Sequence, residues 1–232
     1  MAESGGYGSI SAQPTATTNV NKVVGIASAL VVVNVLLMLA LSYTPVAELG
    51  AALFSNFFVG IAVFLVTVGG GYWLAGKGTG SGSLPLAGAG VALIQTGYGL
   101  FGAALLLFAP SALRAPALGI TAVITGLITA AAAVVVFKTD HDFSRWRMYS
   151  YVCFGGGFVI GAVAYFVAPA FVVVAGVCFF LGFLADLVYE IWAVKTDQYA
   201  SDLLNAVGIY VAVMGVFIHI LQLVLRVLGE LE

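Results

Sequence analysis

Apolar runs of about twenty residues, broken by short polar or Pro- and Gly-marked links, recur along this chain from Lys22 to Leu228. A membrane-crossing helix needs about 20 predominantly apolar residues, so each run is long enough to span a bilayer. The pattern predicts seven spans: Lys22 to Ser42, Leu49 to Ala75, Leu86 to Phe108, Ala117 to Phe137, Met148 to Val167, Phe171 to Val194, and Leu204 to Leu228. Pro45 closes the first, Pro110 follows the third, and Pro169 marks a tight turn between the fifth and sixth. The second is expected to end at Gly69-Gly70-Gly71, before a flexible link, GKGTGSGS. Residues 1–21 are small and polar, have no signal-peptide pattern, and read as a disordered tail.

Composition removes the alternative of a soluble domain. The chain is 62% hydrophobic and only 8% charged, against about 25% charged in soluble domains. Mean hydropathy is +1.13. The expected fold class is therefore an all-α membrane protein, a seven-transmembrane-helix bundle over residues 22–229 following the polar tail. With so few charges, their placement carries more than their sum. If seven spans alternate, Lys22, Lys77, Lys138, Arg145, Arg147 and Lys195 fall on the side of the first span's N-terminus, and Arg114 and Arg226 on the other. Basic residues favour the cytoplasmic side, which puts the N-terminus in the cytoplasm of a cell-membrane protein.

Glycines number 29 and concentrate in the spans, as at Gly155-Gly156-Gly157 and Gly161. Small residues let membrane helices approach closely, where lipid supplies no hydrophobic force to drive them together. They form no phosphate loop, which needs a preceding strand and a lysine. Cys153 and Cys178 lie in apolar runs and read as packing residues.

The candidate chemistry lies in FLGFLADLVYEIWAVKTDQYASDLLNAVGIYVAVMGVFIHILQLVLRVLG, from Phe180 to Gly229. Asp186 and Glu190 stand inside an apolar run, where an ionisable side chain costs about 2.5–3.5 kcal/mol on insertion scales and marks a functional position. Four residues apart, they share a helix face about 6 Å apart along the axis. Two carboxylates that close in a low dielectric resist ionising together, which suits a proton-responsive or cation site. Calcium prefers such oxygen ligands. His219, on the last span, is a candidate proton partner or a neutral histidine satisfied within the bundle. Arg226 snorkels to the interface or latches a carboxylate. Asn56 and Gln95 read as interhelical hydrogen bonds, and Asp140, His141 and Asp142 as a solvated loop beside Arg145 and Arg147 rather than a metal site. No zinc-type histidine pair, nucleophile elbow or Ser/His/Asp set is present. No enzyme activity, resident cofactor or nucleic-acid partner is expected, only the lipid bilayer, protons or calcium, and other membrane proteins.

Three stretches resemble the Bax inhibitor-1 family of membrane proteins. KTDHDFSRW, following a span with Thr125 and Thr129, is similar to that family's loop motif, with Asp142, Phe143 and Ser144 as its Asp-Phe-Ser element. LVYEIW is similar to the end of its sixth helix, and GIYVAVMGVFIHILQLVLRVLG to its last. The resemblance implies a bundle with the last helix central, and a pH-sensitive calcium leak gated by two aspartates sharing a proton. Glu190 stands at the first aspartate position. The second falls on Ala212, which has no carboxylate, and the following asparagine on Gly215. The arginine of some members' second helix has no counterpart in the second span. Asp186 or His219 would then supply the missing partner. The alternative is a non-conducting membrane regulator or scaffold that binds other membrane proteins, such as a quality-control protease.

Overall fold

The computed structural model describes residues 18–168, 170–199 and 201–230. Most of the expected polar tail, and the turn residue Pro169, lie outside the described residues. The apolar runs form α1 (Val20–Leu41), α2 (Val46–Ser55), α3 (Phe57–Gly80), α4 (Leu84–Leu106), α5 (Ser111–Lys138), α6 (Trp146–Phe166), α7 (Phe171–Lys195) and α8 (Asp202–Glu230). Seven of these, all but α2, are long and apolar enough to cross a membrane. Helix is what a bilayer dictates, because backbone groups there find no water and must bond within their own segment. Residues such as Leu36, Val66, Val123, Leu127 and Val159 point outward, as a lipid-facing surface requires.

The last helix is the axis of the bundle. α8 packs against α1, α3, α4, α5 and α7. Its Tyr210, Met214, Phe217 and Leu221 are wholly buried. α6 stands outside this ring and packs chiefly on α7.

The second span differs from the expected Leu49 to Ala75. Asn56 divides it: its backbone is extended, and its side chain accepts from the N–H groups of Phe58 and Val59 at 3.0 and 3.2 Å. An N-cap of this kind starts a new helix, so the preceding ten residues form the separate α2, which lies along α4. The Asn56 amide also donates to Tyr165 Oη (2.9 Å), so this residue both caps and bridges helices. The glycine run does not end α3. Its backbone passes through a π-helical turn at Leu65–Gly69 and continues helical to Gly80, through most of the expected flexible link. Gly82, with φ +71°, then supplies the left-handed residue that turns the chain into α4.

The closest backbone approach is between α3 and α4. A Cβ on Gly71 would lie 2.7 Å from the Gly90 carbonyl, one on Gly90 would meet Ala75 N, and one on Gly78 would meet Ala87 N. The Gly155-Gly156-Gly157 run works differently: Gly155 and Gly156 face open space, while Gly157 admits the Phe179 ring. Across the α1–α4 contact, Gln95 donates to Leu30 O (2.9 Å), and Asn34 donates to both the Gln95 side chain (2.5 Å) and its carbonyl (2.9 Å).

Overpacking a close-fitted contact costs about 1–3 kcal/mol. Gly90→Val is expected to destabilise the detergent-solubilised protein by at least that much in thermal melts, whereas Gly88→Ala, which faces open space, leaves the melt within about 0.5 kcal/mol of the parent.

Candidate functional site

α7 and α8 run antiparallel in a register set by glycines. The Phe183 ring fills the space a Cβ would need at Gly215, and the Glu190 carboxylate does the same at Gly208. Between these two contacts, Asp186 falls level with Ala212. Asp186 thus faces, from α7, the α8 position occupied by Ala212. Ala212 itself is wholly buried.

Glu190 is only 4% exposed, and Asp186, one turn earlier, is half-buried. Tyr199 Oη donates to Glu190 Oε1 at 3.3 Å, while Oε2 is buried without a hydrogen-bond partner. Tyr199 belongs to the α7–α8 loop, which turns at Asp197 through a positive φ of 52°. Asp197 is held in place because Thr18 N–H donates to its Oδ1 at 2.8 Å, and the Thr18 hydroxyl together with that N–H keeps its carboxyl below the usual range. Asp202, at the start of α8, accepts from Asn19 N–H (3.0 Å) and pairs with Lys22 Nζ (3.1 Å). The start of α1 is therefore clasped to the loop that carries Tyr199.

Arg147, at the start of α6, supplies the positive charge of the site. Its Nε donates to Tyr151 Oη (2.8 Å), and its Nη1 to Tyr189 Oη (3.1 Å) and Tyr199 Oη (3.2 Å). The guanidinium also lies 5.0 Å from the Tyr189 ring centroid. Tyr199 accepts from Arg147 and donates to Glu190, so a phenol links the cation to the carboxylate. The loop motif places Arg147 at this point. Asp142 Oδ1 accepts from Ser144 N–H (2.8 Å), which holds the Asp142 carboxyl below its usual range. Phe143 is buried against Trp146, with ring centroids 5.6 Å apart.

On the inner side, tyrosines from three more helices complete the cluster. Tyr72 of α3 lies beside Tyr199 and Glu190, with its hydroxyl buried. Tyr98 of α4 lies within reach of Asp186 and donates to Val211 O at 2.8 Å. The buried hydroxyl of Tyr210 on α8 is unpartnered. Next to this cluster, Phe183 packs with Phe154 (4.8 Å) and Phe64 (6.4 Å), and Phe64 with Tyr98 (5.3 Å).

His219 is not joined to the carboxylates. Its Nδ1 bonds Gly215 O in its own helix at 2.8 Å, and its ring packs against Phe180 and Phe183. Arg226 is exposed near the end of α8. Cys153 and Cys178 are free thiols. Among the described residues no group of three His, Cys, Asp or Glu side chains could hold a metal ion, the Asp140-His141-Asp142 loop included. Two carboxylates fall short of the six to eight oxygens calcium takes. The donor set suits a proton or a passing cation better than a resident one.

Sequence reasoning missed Arg147 as a site residue, and with it Tyr72, Tyr98, Tyr189 and Tyr199. The available signal was the number of tyrosines flanking Glu190, at 189 and 199. Fold and site define an all-α membrane bundle with a buried glutamate and a half-buried aspartate one turn apart. Comparison with known proteins finds no matching family model, no matching curated protein and no matching solved structure.

The contact between Glu190 and Gly208 can be isolated by a double-mutant cycle read by thermal unfolding in detergent. Gly208→Ala should destabilise by about 1–3 kcal/mol in the parent, through displacement of the carboxylate. In a Glu190→Ala background it should cost less than about 0.5 kcal/mol. Equal costs in both backgrounds would refute the contact.

Proposed function

We propose that this chain is a pH-sensitive calcium leak of the Bax inhibitor-1 type in the cell membrane, with its N-terminus in the cytoplasm. The observation that carries this reading is the Glu190 carboxylate, buried among membrane-spanning helices with Oε2 unpartnered and Asp186 one turn away. A group so placed binds a proton or a cation in preference to remaining a bare charge. Arg147 and Tyr199 cover it from the face that bears the six basic residues. Phe183, with Phe64 and Phe154, is a hydrophobic constriction of the kind that closes a pore by excluding water.

The mechanism is electrostatic. With both carboxylates ionised, their mutual repulsion and their attraction for cations favour an open, hydrated path. Protonation removes the negative charge, and the tyrosine hydroxyls then bond a neutral acid in the closed arrangement. Opening requires Tyr199 and Arg147 to move off Glu190, and the Phe183 ring to leave the notch at Gly215. The family resemblance of the loop and the last two helices supports the same reading. The orientation rests on the distribution of lysine and arginine. No enzymatic step is assigned.

A second reading is a non-conducting regulator that binds other membrane proteins, such as a quality-control protease. It is favoured by Ala212, which leaves α8 without a carboxylate in this region.

Calcium flux into proteoliposomes across pH 5 to 8 separates the two. The leak reading expects flux that grows as pH rises, loses its pH dependence in Glu190→Gln, is weakened in Asp186→Asn, and increases in Phe183→Ala. Folded protein with no flux above empty liposomes at any pH would leave the scaffold reading, whose partner should co-purify equally well with Glu190→Gln.

A further inference from the structure

α1 and α5 diverge along the half of the bundle nearest the basic face and leave a crevice of about 430 Å³ between them. It runs beside residues 20–32 of α1 and 122–137 of α5, with Ile191 of α7 and Phe217 of α8 among the residues behind it. At about 1.5 Å per residue these stretches are about 18–22 Å long. The residues along them are almost all apolar, as a hydrocarbon occupant requires. The crevice begins at the charged face, beside Val20 and Phe137, and reaches about as deep as one leaflet, half of a hydrocarbon core about 30 Å thick.

Charge at the mouth indicates the head group. Lys138 follows Phe137 at the end of α5 and is exposed. Lys195 follows Val194 and donates to the carbonyls of Val136 (2.9 Å) and Thr139 (2.6 Å), which fixes its ammonium at the same helix end with one N–H to spare. Asp140 and Asp197, each two residues from one of these lysines, are exposed, and Asp197 accepts from Thr18 N–H. Lys22 is already paired with Asp202.

We propose that this crevice is a binding site for one hydrocarbon chain of an anionic phospholipid, whose phosphate is held at Lys138 and Lys195. The chain covers apolar side chains that α1 and α5 leave open between them. The inference stands apart from the leak reading, since it uses neither Glu190 nor Asp186. Thr125 provides an internal control: it lines the crevice, is 3% exposed, and its hydroxyl has no partner. A hydrocarbon chain makes no demand on that hydroxyl.

The test is native mass spectrometry of the detergent-purified protein with equimolar phosphatidylglycerol and phosphatidylcholine of equal chain length. One retained phosphatidylglycerol is expected, in preference to phosphatidylcholine. Lys138→Gln should cut that preference about fivefold, as loss of one lysine near a lipid surface does. Gly126→Leu, at a position where a Cβ meets nothing within 4 Å, should fill the slot and abolish retention. Ala122→Leu, on the same wall, serves if the first variant fails to elute as folded protein in size exclusion. Thr125→Val should leave retention unchanged. Equal retention of the two lipids, or retention that survives the filled slot, would overturn the proposal. Loss of binding in Thr125→Val would also overturn it, by revealing an occupant with an oxygen at that depth.

Discussion

The contact between the Glu190 carboxylate and the bare backbone of Gly208 is the constraint on which the arrangement of the last two helices depends. An acid this deeply buried must be placed where other polar groups can reach it. The absence of a side chain at 208 lets α8 come close enough to shut out lipid without displacing the carboxylate. The Phe183 and Gly215 contact, two turns away, repeats the same device with an aromatic ring. Together they fix register and rotation of α7 against the central helix, and so bring Asp186 level with Ala212. The tyrosines of α3 and α4 meet the pair because those helices are themselves packed around α8.

Polar satisfaction is then achieved with phenols rather than with a tight ion pair. Arg147 reaches Glu190 through Tyr199, and three tyrosine hydroxyls share the guanidinium. A direct buried salt bridge would bear the full desolvation of both ions and would be hard to open. A phenol between them spreads the charge and leaves each contact weak enough to break singly. That trade suits a site that must change state. The loop bearing Asp142, Phe143 and Ser144 belongs to the same unit, because it sets where α6 begins and hence where Arg147 points.

The spans were legible because lipid imposes one local rule, a long apolar run, and the chain obeys it seven times. The break at Asn56 was not, since a lone asparagine in an apolar run reads equally as an interhelical bond or a cap, and here it is both. The glycine run in α3 was misread as an end. Glycine breaks helices mainly where water competes for the backbone, whereas here α4 presses against it. Asp186 and Glu190 stood out because a charge inside an apolar run is conspicuous. Their partners did not, because Arg147 reads as an ordinary juxtamembrane cation and a tyrosine fits a membrane interface without explanation. Which phenol meets which carboxylate is decided by helix packing, and pattern alone does not encode it.

The clasp between the start of α1 and the α7–α8 loop has a consequence for how the chain is made. Thr18 and Asp197 are 179 positions apart. At a synthesis rate of about 5–20 residues per second, roughly 9–36 s separate the emergence of the two. Over that interval α1 lacks the neighbours that finally hold it, and the helices made after it must assemble without displacing it. Closure of the bundle is thereby deferred until the α7–α8 loop has been made, and α1, synthesised well before that loop, is locked in place only then.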